Sequence, residues 1–280
     1  MNAKQIGFLN PGMMGISLAA SAKNSGHSAY WVSEGRSAAT RARAEEQELI
    51  EVATLAELCE RCSTIISVCP PHAAIDVAEQ VAGRSYKGLY ADVNAISPDK
   101  TRRIGALLGD AGIDYVDGGI IGGPAWKPGT TWLYLSGDSA HRVAECFKAG
   151  PLETEVIGTE IGKASALKMC YAANTKGTTA LLCAVVAAAE GLGVREELER
   201  EWSRGGSEYA REVAQRVVGV TAKAWRFAGE MEEIASTFNA SGLPDGFHLA
   251  AADLYRRIAG FKGASPLPPV DDVIEALLNG

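Results

Sequence analysis

Over roughly its first 157 residues the chain alternates short apolar runs, rich in β-branched and aromatic residues, with segments whose apolar positions recur every three or four residues. That alternation is the pattern of βαβ units wound into a parallel sheet. The apolar runs predict strands at 4–9, 28–32, 65–68, 89–92, 113–116, 132–136 and 154–157, and the periodic segments predict helices near 13–25, 37–47, 54–60, 72–82, 98–109 and 140–148. A helix after nearly every strand is what parallel order demands, because the chain must cross the sheet before it can re-enter in the same direction. The pattern changes after Gly158. From Ile161 to Glu190 there is no proline and a dense supply of Ala, Leu and Lys, which predicts one long helix of about 45 Å. Everything beyond reads helical, with SPLPPVDD at 265–272 as a short joint before a last amphipathic helix, Val270 to Leu278. The expectation is therefore a doubly wound α/β domain at 1–158 and an all-α domain at 159–280, joined by the long helix.

Composition narrows the function classes. The chain has 280 residues, 47% of them hydrophobic and 22% charged, with a formal net charge of −7, and no run of lysine and arginine forms a stripe for nucleic acid or an anionic membrane. An anionic ligand must be held locally. The first residues lack the order of a secretory signal, and Ile6 to Leu9 is too short an apolar run to span a bilayer, so a cytoplasmic protein is expected. Of six cysteines only Cys59 and Cys62 have a ligand or redox spacing, and no second pair completes a metal site, so they read as core and no metal is expected.

The candidate chemistry begins between the first strand and the first helix, at NPGMMG. In a dinucleotide-binding fingerprint one glycine makes the tight turn, a second lets a pyrophosphate approach the backbone, and a third lets helix and strand pack closely. Gly12 and Gly15 hold the last two places, whereas Asn10 stands at the first and Pro11 after it brings no N–H. A remodelled turn with one donor fewer is expected, with the phosphate seated on the N-terminus of the helix that starts at Met13 and Met14. The second strand ends near Ser33, followed by Glu34, Arg36, Ser37 and Arg41. Glu34 suits the ribose hydroxyls of NAD; Arg36 and Ser37, with Arg41 a turn later, suit a 2′-phosphate, which favours NADP and leaves NAD possible.

Further along, SVCPPHAAIDVA, DVNAISP, DGGIIGGPAWKPGT and GKASALKMCYAANTKG follow in an order that resembles the β-hydroxyacid dehydrogenase family, which includes 3-hydroxyisobutyrate dehydrogenase and 6-phosphogluconate dehydrogenase. WRFAGEMEEIA and the helical C-terminal half resemble a subgroup with a phosphogluconate-dehydrogenase-like C-terminal domain. The resemblance implies a Rossmann-type cofactor domain, a small hydroxy-acid-like substrate, a homodimer, and hydride transfer with a lysine moving the hydroxyl proton. Lys168 matches that lysine. The resemblance also implies that Cys69 and Pro70 bound the cofactor site, that Asn94 lies beside both nicotinamide and substrate, and that backbone N–H groups at Gly122 and Gly123 receive a carboxylate.

Three departures bear on the substrate. Ala172 stands where the family has an asparagine one turn after the lysine, which leaves Tyr171 and Thr175, three and seven residues on from Lys168, to supply a hydrogen bond. Ile121 replaces a common serine, and EMEEIA carries Glu230, Glu232 and Glu233 where the family usually supplies a lysine. Facing the substrate, these acids favour one of lower negative charge or an amine; on an outer helix face they are silent. Two alternatives thus stay open, an NADPH-dependent imine reductase on the same fold and a non-catalytic cofactor-binding protein.

Overall fold

The computed structural model describes residues 3–280. Its first half runs β1 (Gln5–Phe8), α1 (Met13–Asn24), β2 (Ser28–Val32), α2 (Ala38–Glu46), β3 (Ile50–Val52), α3 (Leu55–Arg61), β4 (Thr64–Ser67), α4 (Ala74–Ala82), β5 (Leu89–Asp92), α5 (Pro98–Asp110), β6 (Asp114–Gly122), β7 (Thr131–Ser136), α6 (Ala140–Ala144) and β8 (Glu153–Gly158). The strands form one sheet in the order β3-β2-β1-β4-β5-β6-β7-β8, parallel throughout except between β6 and β7. This is the Rossmann-type, doubly wound arrangement.

Helices on both faces bury the central strands completely, so those strands read as continuous apolar runs. Alternation still sorts them: Ile6, Phe8 and Ile66 point into one core with Leu18 and Trp31, while Ile65 and Tyr90 point into the other with Leu58 and Ile104. Gly7 is what lets α3 close on β1, since a Cβ there would lie 2.8 Å from the Leu58 side chain. Cys59 and Cys62 are unbridged, and burial pushes their thiols up to about 11 and about 12, so the CxxC spacing carries no thiolate at neutral pH.

Two elements differ from the hydrophobic pattern. β3 is a three-residue edge strand with Ile50 and Glu51 exposed, too short and too solvated to announce itself by periodicity. β6 runs on to Gly122 instead of stopping near residue 116, because DGGIIG pairs antiparallel with β7 from Asp117↔Ser136 to Gly122↔Thr131. The expected long helix is α7 (Lys163–Ala172), a π-helical stretch (Ala173–Gly177) and α8 (Thr178–Gly191), joined without a break.

The chain then continues as α9 (Arg195–Trp202), α10 (Tyr209–Ala240), α11 (Gly246–Arg257) and α12 (Val270–Asn279). The 32-residue α10 buries Val213, Val217, Val220, Ala224, Met231 and Ile234 at helical spacing and packs on α8, α11 and α12. Two compact units result, Met1–Met169 and Cys170–Gly280. Their division falls inside α7, whose first turns are tied to β6 by hydrogen bonds described below. Among the described residues no helix is long and apolar enough to cross a membrane.

Candidate functional site

In the first unit β1 and β4 lie side by side while their connections leave in opposite directions, which opens a crevice at the carboxyl ends of the strands. The β1–α1 loop forms one wall. Gly12 N–H donates to the Asn10 carbonyl at 2.8 Å, a three-residue turn centred on Pro11. Asn10 and Pro11 therefore build the turn that a first glycine usually builds. Gly15 is compulsory, since a Cβ there would stand 2.2 Å from the Asn10 carbonyl oxygen. Gly12, the N-cap of α1, offers no side-chain cap, no acidic residue follows in the first turn, and a Cβ on it would meet nothing within 4 Å. The first N–H groups of α1, from Met13 and Met14 onward, are thus left without a side-chain cap at the positive end of the helix, the arrangement that suits a phosphate. Gly15→Ala is expected to force the loop open at a cost of about 1–3 kcal/mol, read as a lower melting temperature together with lost dinucleotide binding.

The β2 end supplies the second wall. Ser33 is held by its N–H on the Val52 carbonyl at 3.1 Å, and Ser37 caps α2 by accepting from Thr40 N–H at 3.3 Å. Arg41 is committed, donating to the Ser33 carbonyl at 2.8 Å and pairing with Glu51 at 3.2 Å. Arg36 is not: its Nε is buried without a hydrogen-bond partner among the described residues, and burial pulls its pKa down. A half-buried guanidinium with an orphaned donor suits a phosphate, which accepts several N–H bonds at once. Glu34 is exposed beside it.

The third wall is a polar rung inside an apolar sheet. Ser67, Asp92 and Asp117 align across β4, β5 and β6, and all three are buried. Two residues further on stand Cys69, Asn94 and Gly119. The Asn94 carboxamide accepts from Cys69 N–H and donates to Ser67 Oγ at 3.3 Å, while its own N–H donates to Asp92 Oδ1 at 2.9 Å. Asn94 thereby fixes the Cys69–Pro70 turn. Burial, helped by the Asp92 carboxylate, pushes the Cys69 thiol up to about 12, so it offers a neutral surface and no nucleophile.

Gly119 roots the helix that carries Lys168. A Cβ on Gly119 would lie 2.7 Å from the Ala164 carbonyl oxygen and 2.8 Å from Lys168 Cβ, so α7 rests directly on β6 at this point. Lys168 accordingly starts beside the level of Asn94, at the edge of the sheet that holds the glycine turn. Asp117 secures the same helix: its carboxylate accepts from Gly162 N–H (3.0 Å), Ser165 N–H (3.1 Å), Ser165 Oγ (2.6 Å), Ser136 Oγ (3.0 Å) and Thr101 Oγ1 (3.3 Å). Neither Asp92 nor Asp117 emerged as a functional residue from sequence reasoning. The available signal was an acid inside each of two strands otherwise apolar enough to be buried, YADV and YVDGG.

The remaining candidates separate. Gly122 pairs with Thr131 at φ +122°, where a Cβ would meet the Thr130 carbonyl at 2.4 Å; Gly123 lies beyond it, open to a Cβ, with its carbonyl accepting from Thr131 Oγ1 at 2.8 Å. In the second unit Tyr171 is exposed, whereas the Thr175 hydroxyl donates to the Tyr171 carbonyl at 3.2 Å. Counting seven residues from Lys168 at α-helical pitch puts Thr175 on the lysine's face, but the wider i→i+5 turns of the π-helical stretch shift that count. The Thr175 carbonyl instead receives Arg216 Nη2 and Thr179 Oγ1, both at 2.9 Å. The acids of EMEEIA also have local roles: Glu230 is ion-paired with Lys176, a mostly buried pair beside Phe227, and Glu232 pairs with Arg256 at the surface. His248 packs edge-on to Phe238 and Phe247, as a core residue does.

The first unit has the fold and the loop geometry of a dinucleotide-binding protein. Residues 5–149 match the NAD binding domain of 6-phosphogluconate dehydrogenase, and the chain belongs to that family, within the 3-hydroxyacid and 6-phosphogluconate dehydrogenase-like superfamily. Residues 189–258 match a domain of unknown function, DUF1932. An uncharacterized 28.5 kDa protein of Methanothermus fervidus is 33% identical over 59% of this chain and 63% of its own length. A mitochondrial 3-hydroxyisobutyrate dehydrogenase of Drosophila melanogaster is 24% identical over 70% of this chain and 60% of its own. The chain thus spans less than two thirds of the length of these curated relatives. Among solved structures, the 3-hydroxyisobutyrate dehydrogenase of Mycobacterium tuberculosis, determined with L-serine, shares the fold with a TM-score of 0.72 over 99% of both chains at 18% identity.

Proposed function

We propose that this protein is an oxidoreductase that moves a hydride between NADP and a small hydroxy-acid-like substrate, with Lys168 as the acid and base at the substrate oxygen. The observation that carries the reading is the seating of Lys168 on Gly119, one rung beyond two buried aspartates, at the same edge of the sheet as the uncapped α1 N-terminus. The α1 N–H groups and Gly12 would hold the pyrophosphate, Arg36 and Ser37 the 2′-phosphate, and the Cys69–Pro70 turn, fixed by Asn94, the face of the nicotinamide half. The bound cofactor supplies or accepts the hydride. In the oxidative direction the substrate carbon loses that hydride, and its hydroxyl proton passes to the neutral amine of Lys168; in reduction Lys168 returns the proton to the carbonyl oxygen. Gly123, where a Cβ would meet nothing within 4 Å, offers unobstructed backbone toward a carboxylate, whereas Gly122 is crowded by Thr130 and Thr131. The same reading has a homodimer working in the cytoplasm, with no nucleic-acid or membrane partner.

The test is a screen of the purified chain with NADP+ and NADPH against small hydroxy acids, their carbonyl partners and cyclic imines, followed by nicotinamide absorbance. Turnover of the oxygen substrates supports the proposal. Turnover confined to imines replaces it with carbon–nitrogen reduction, and failure to bind either nucleotide overturns it. Arg36→Ala is expected to weaken NADPH by about tenfold or more, as loss of a charge-assisted contact does, with NADH little changed; equal weakening of both by titration calorimetry assigns the protein to NAD.

A further inference from the structure

The two aspartates of the polar rung are treated very differently by their surroundings. Asp92 on β5 and Asp117 on β6 are paired residues of adjacent parallel strands and project from the same face of the sheet, beneath α5. Asp117 receives the five donors named above, three of them from Gly162 and Ser165 at the start of α7, where the helix favours an anion. Asp92, by contrast, is met on Oδ1 by Asn94 N–H at 2.9 Å. Its Oδ2 is buried without a partner among the described residues, and so is the hydroxyl of Tyr90, two residues back on the same strand and face.

A buried carboxylate pair beside each other resists double ionisation, and the member with more donors keeps the charge. We propose that Asp92 holds the single proton of this pair and is a positioning residue, which on losing that proton disturbs, through Asn94, the Cys69–Pro70 turn that faces the cofactor. This rests on the proposed cofactor site. The surroundings agree with it. Burial first, then the charge of Asp117, push Asp92 up to about 7, opposed by the Asn94 hydrogen bonds and by Lys100 on α5. The other titratable groups facing it are Tyr90 on β5, Tyr115 on β6 and Cys69 after β4, each pushed upward by burial and by Asp92 itself, and hence neutral. Ionised Asp92 adds a second buried negative charge beneath an anionic ligand, so affinity should fall as pH rises.

Asp92→Asn tests this, since the amide keeps an acceptor for Asn94 N–H and does not titrate. The expected result for the wild type is a carbon-13 carboxyl resonance, absent from the variant, that titrates near neutrality, with the Cys69 and Asn94 amide signals moving at the same midpoint. NADPH affinity of the wild type should drop by about fivefold between pH 6 and pH 8 and stay level in the variant; titration of the 2′-phosphate is common to both proteins and cancels. Folding gives a separate reading. The folded chain retains this proton where the unfolded chain, with an aspartate near 3.9, has lost it. Stability of the wild type relative to the variant should therefore decline as pH rises from about 4 to about 7, and change no further above that. An Asp92 carboxyl already ionised at pH 5, or Cys69 and Asn94 amides that ignore its titration, overturns the proposal while leaving the cofactor site standing. Lack of nucleotide binding at every pH overturns both, and the carboxyl titration then shows whether the proton was assigned correctly.

Discussion

Lys168→Ala is expected to lower kcat by about 10²–10⁴-fold, the usual worth of a positioned general acid or base, with the dissociation constants for NADP+ and NADPH nearly unchanged. The variant is a clean one because alanine keeps the Cβ, and the Cβ is the atom that rests on Gly119. The α7–β6 packing should survive, and the elements proposed to hold phosphate, the β1–α1 loop and the β2 end, belong to other strands of the sheet. Two readouts separate proton transfer from mere support. Small primary amines added to the solution should restore part of the rate, rising with amine concentration and basicity. The basic limb of the pH profile, set by the ammonium in the reductive direction, should vanish from the variant. If kcat falls while added amines do nothing and the profile keeps its shape, Lys168 is structural and the proposed chemistry is wrong. If kcat is untouched, another group moves the proton.

The architecture was legible because parallel strands and their crossover helices impose two different hydrophobic periods on the chain, and burial on both faces makes the central strands read strongly. β1, β2, β4 and β5 stand within a residue or so of where the pattern puts them. The pattern failed where burial is partial or backbone replaces side chains: β3 is a short edge with exposed residues, and the far half of β6 is built on glycines that carry no hydrophobic signal. The glycine loop was legible in position but not in mechanism. That Asn10 and Pro11 would close the turn through Gly12 N–H, and that the Asn10 carbonyl would be what excludes a Cβ at Gly15, depends on coordinates. Arg36 and Arg41 looked equivalent along the sequence; tertiary contacts to Ser33 and Glu51 engage one and leave the other with an orphaned donor. Hidden most completely was the buried polar rung. An aspartate in a strand is visible, but the donors that decide its charge come from residues 16 to 48 positions away.

Asp117 is where those distant donors converge, and Asp117→Ala is expected to cost the first unit about 2–6 kcal/mol, at about 1–3 kcal/mol for each of two buried N–H groups left without an acceptor. Some of the loss can be relieved: Ser136 Oγ still accepts from Ala164 N–H at 3.1 Å, and Thr101 Oγ1 still meets the Tyr115 hydroxyl at 2.7 Å. The N–H groups of Gly162 and Ser165 have no such second partner in the hydrogen bonds described, and they would be left buried at the start of α7, where the helix needs an anion. Urea unfolding should show the full effect in Asp117→Ala and a smaller one in Asp117→Asn, whose remaining oxygen serves some of the same donors. Asp117→Asn has a second consequence, because it removes the charge that helps keep Asp92 protonated. Its Asp92 carboxyl should titrate below the wild-type midpoint, toward the ordinary carboxylate range. A loss under about 1 kcal/mol in Asp117→Ala, no larger than an ordinary surface change, would mean that α7 is seated by packing on Gly119 alone. An Asp92 midpoint unmoved in Asp117→Asn would mean that the two carboxylates do not sense each other across the sheet.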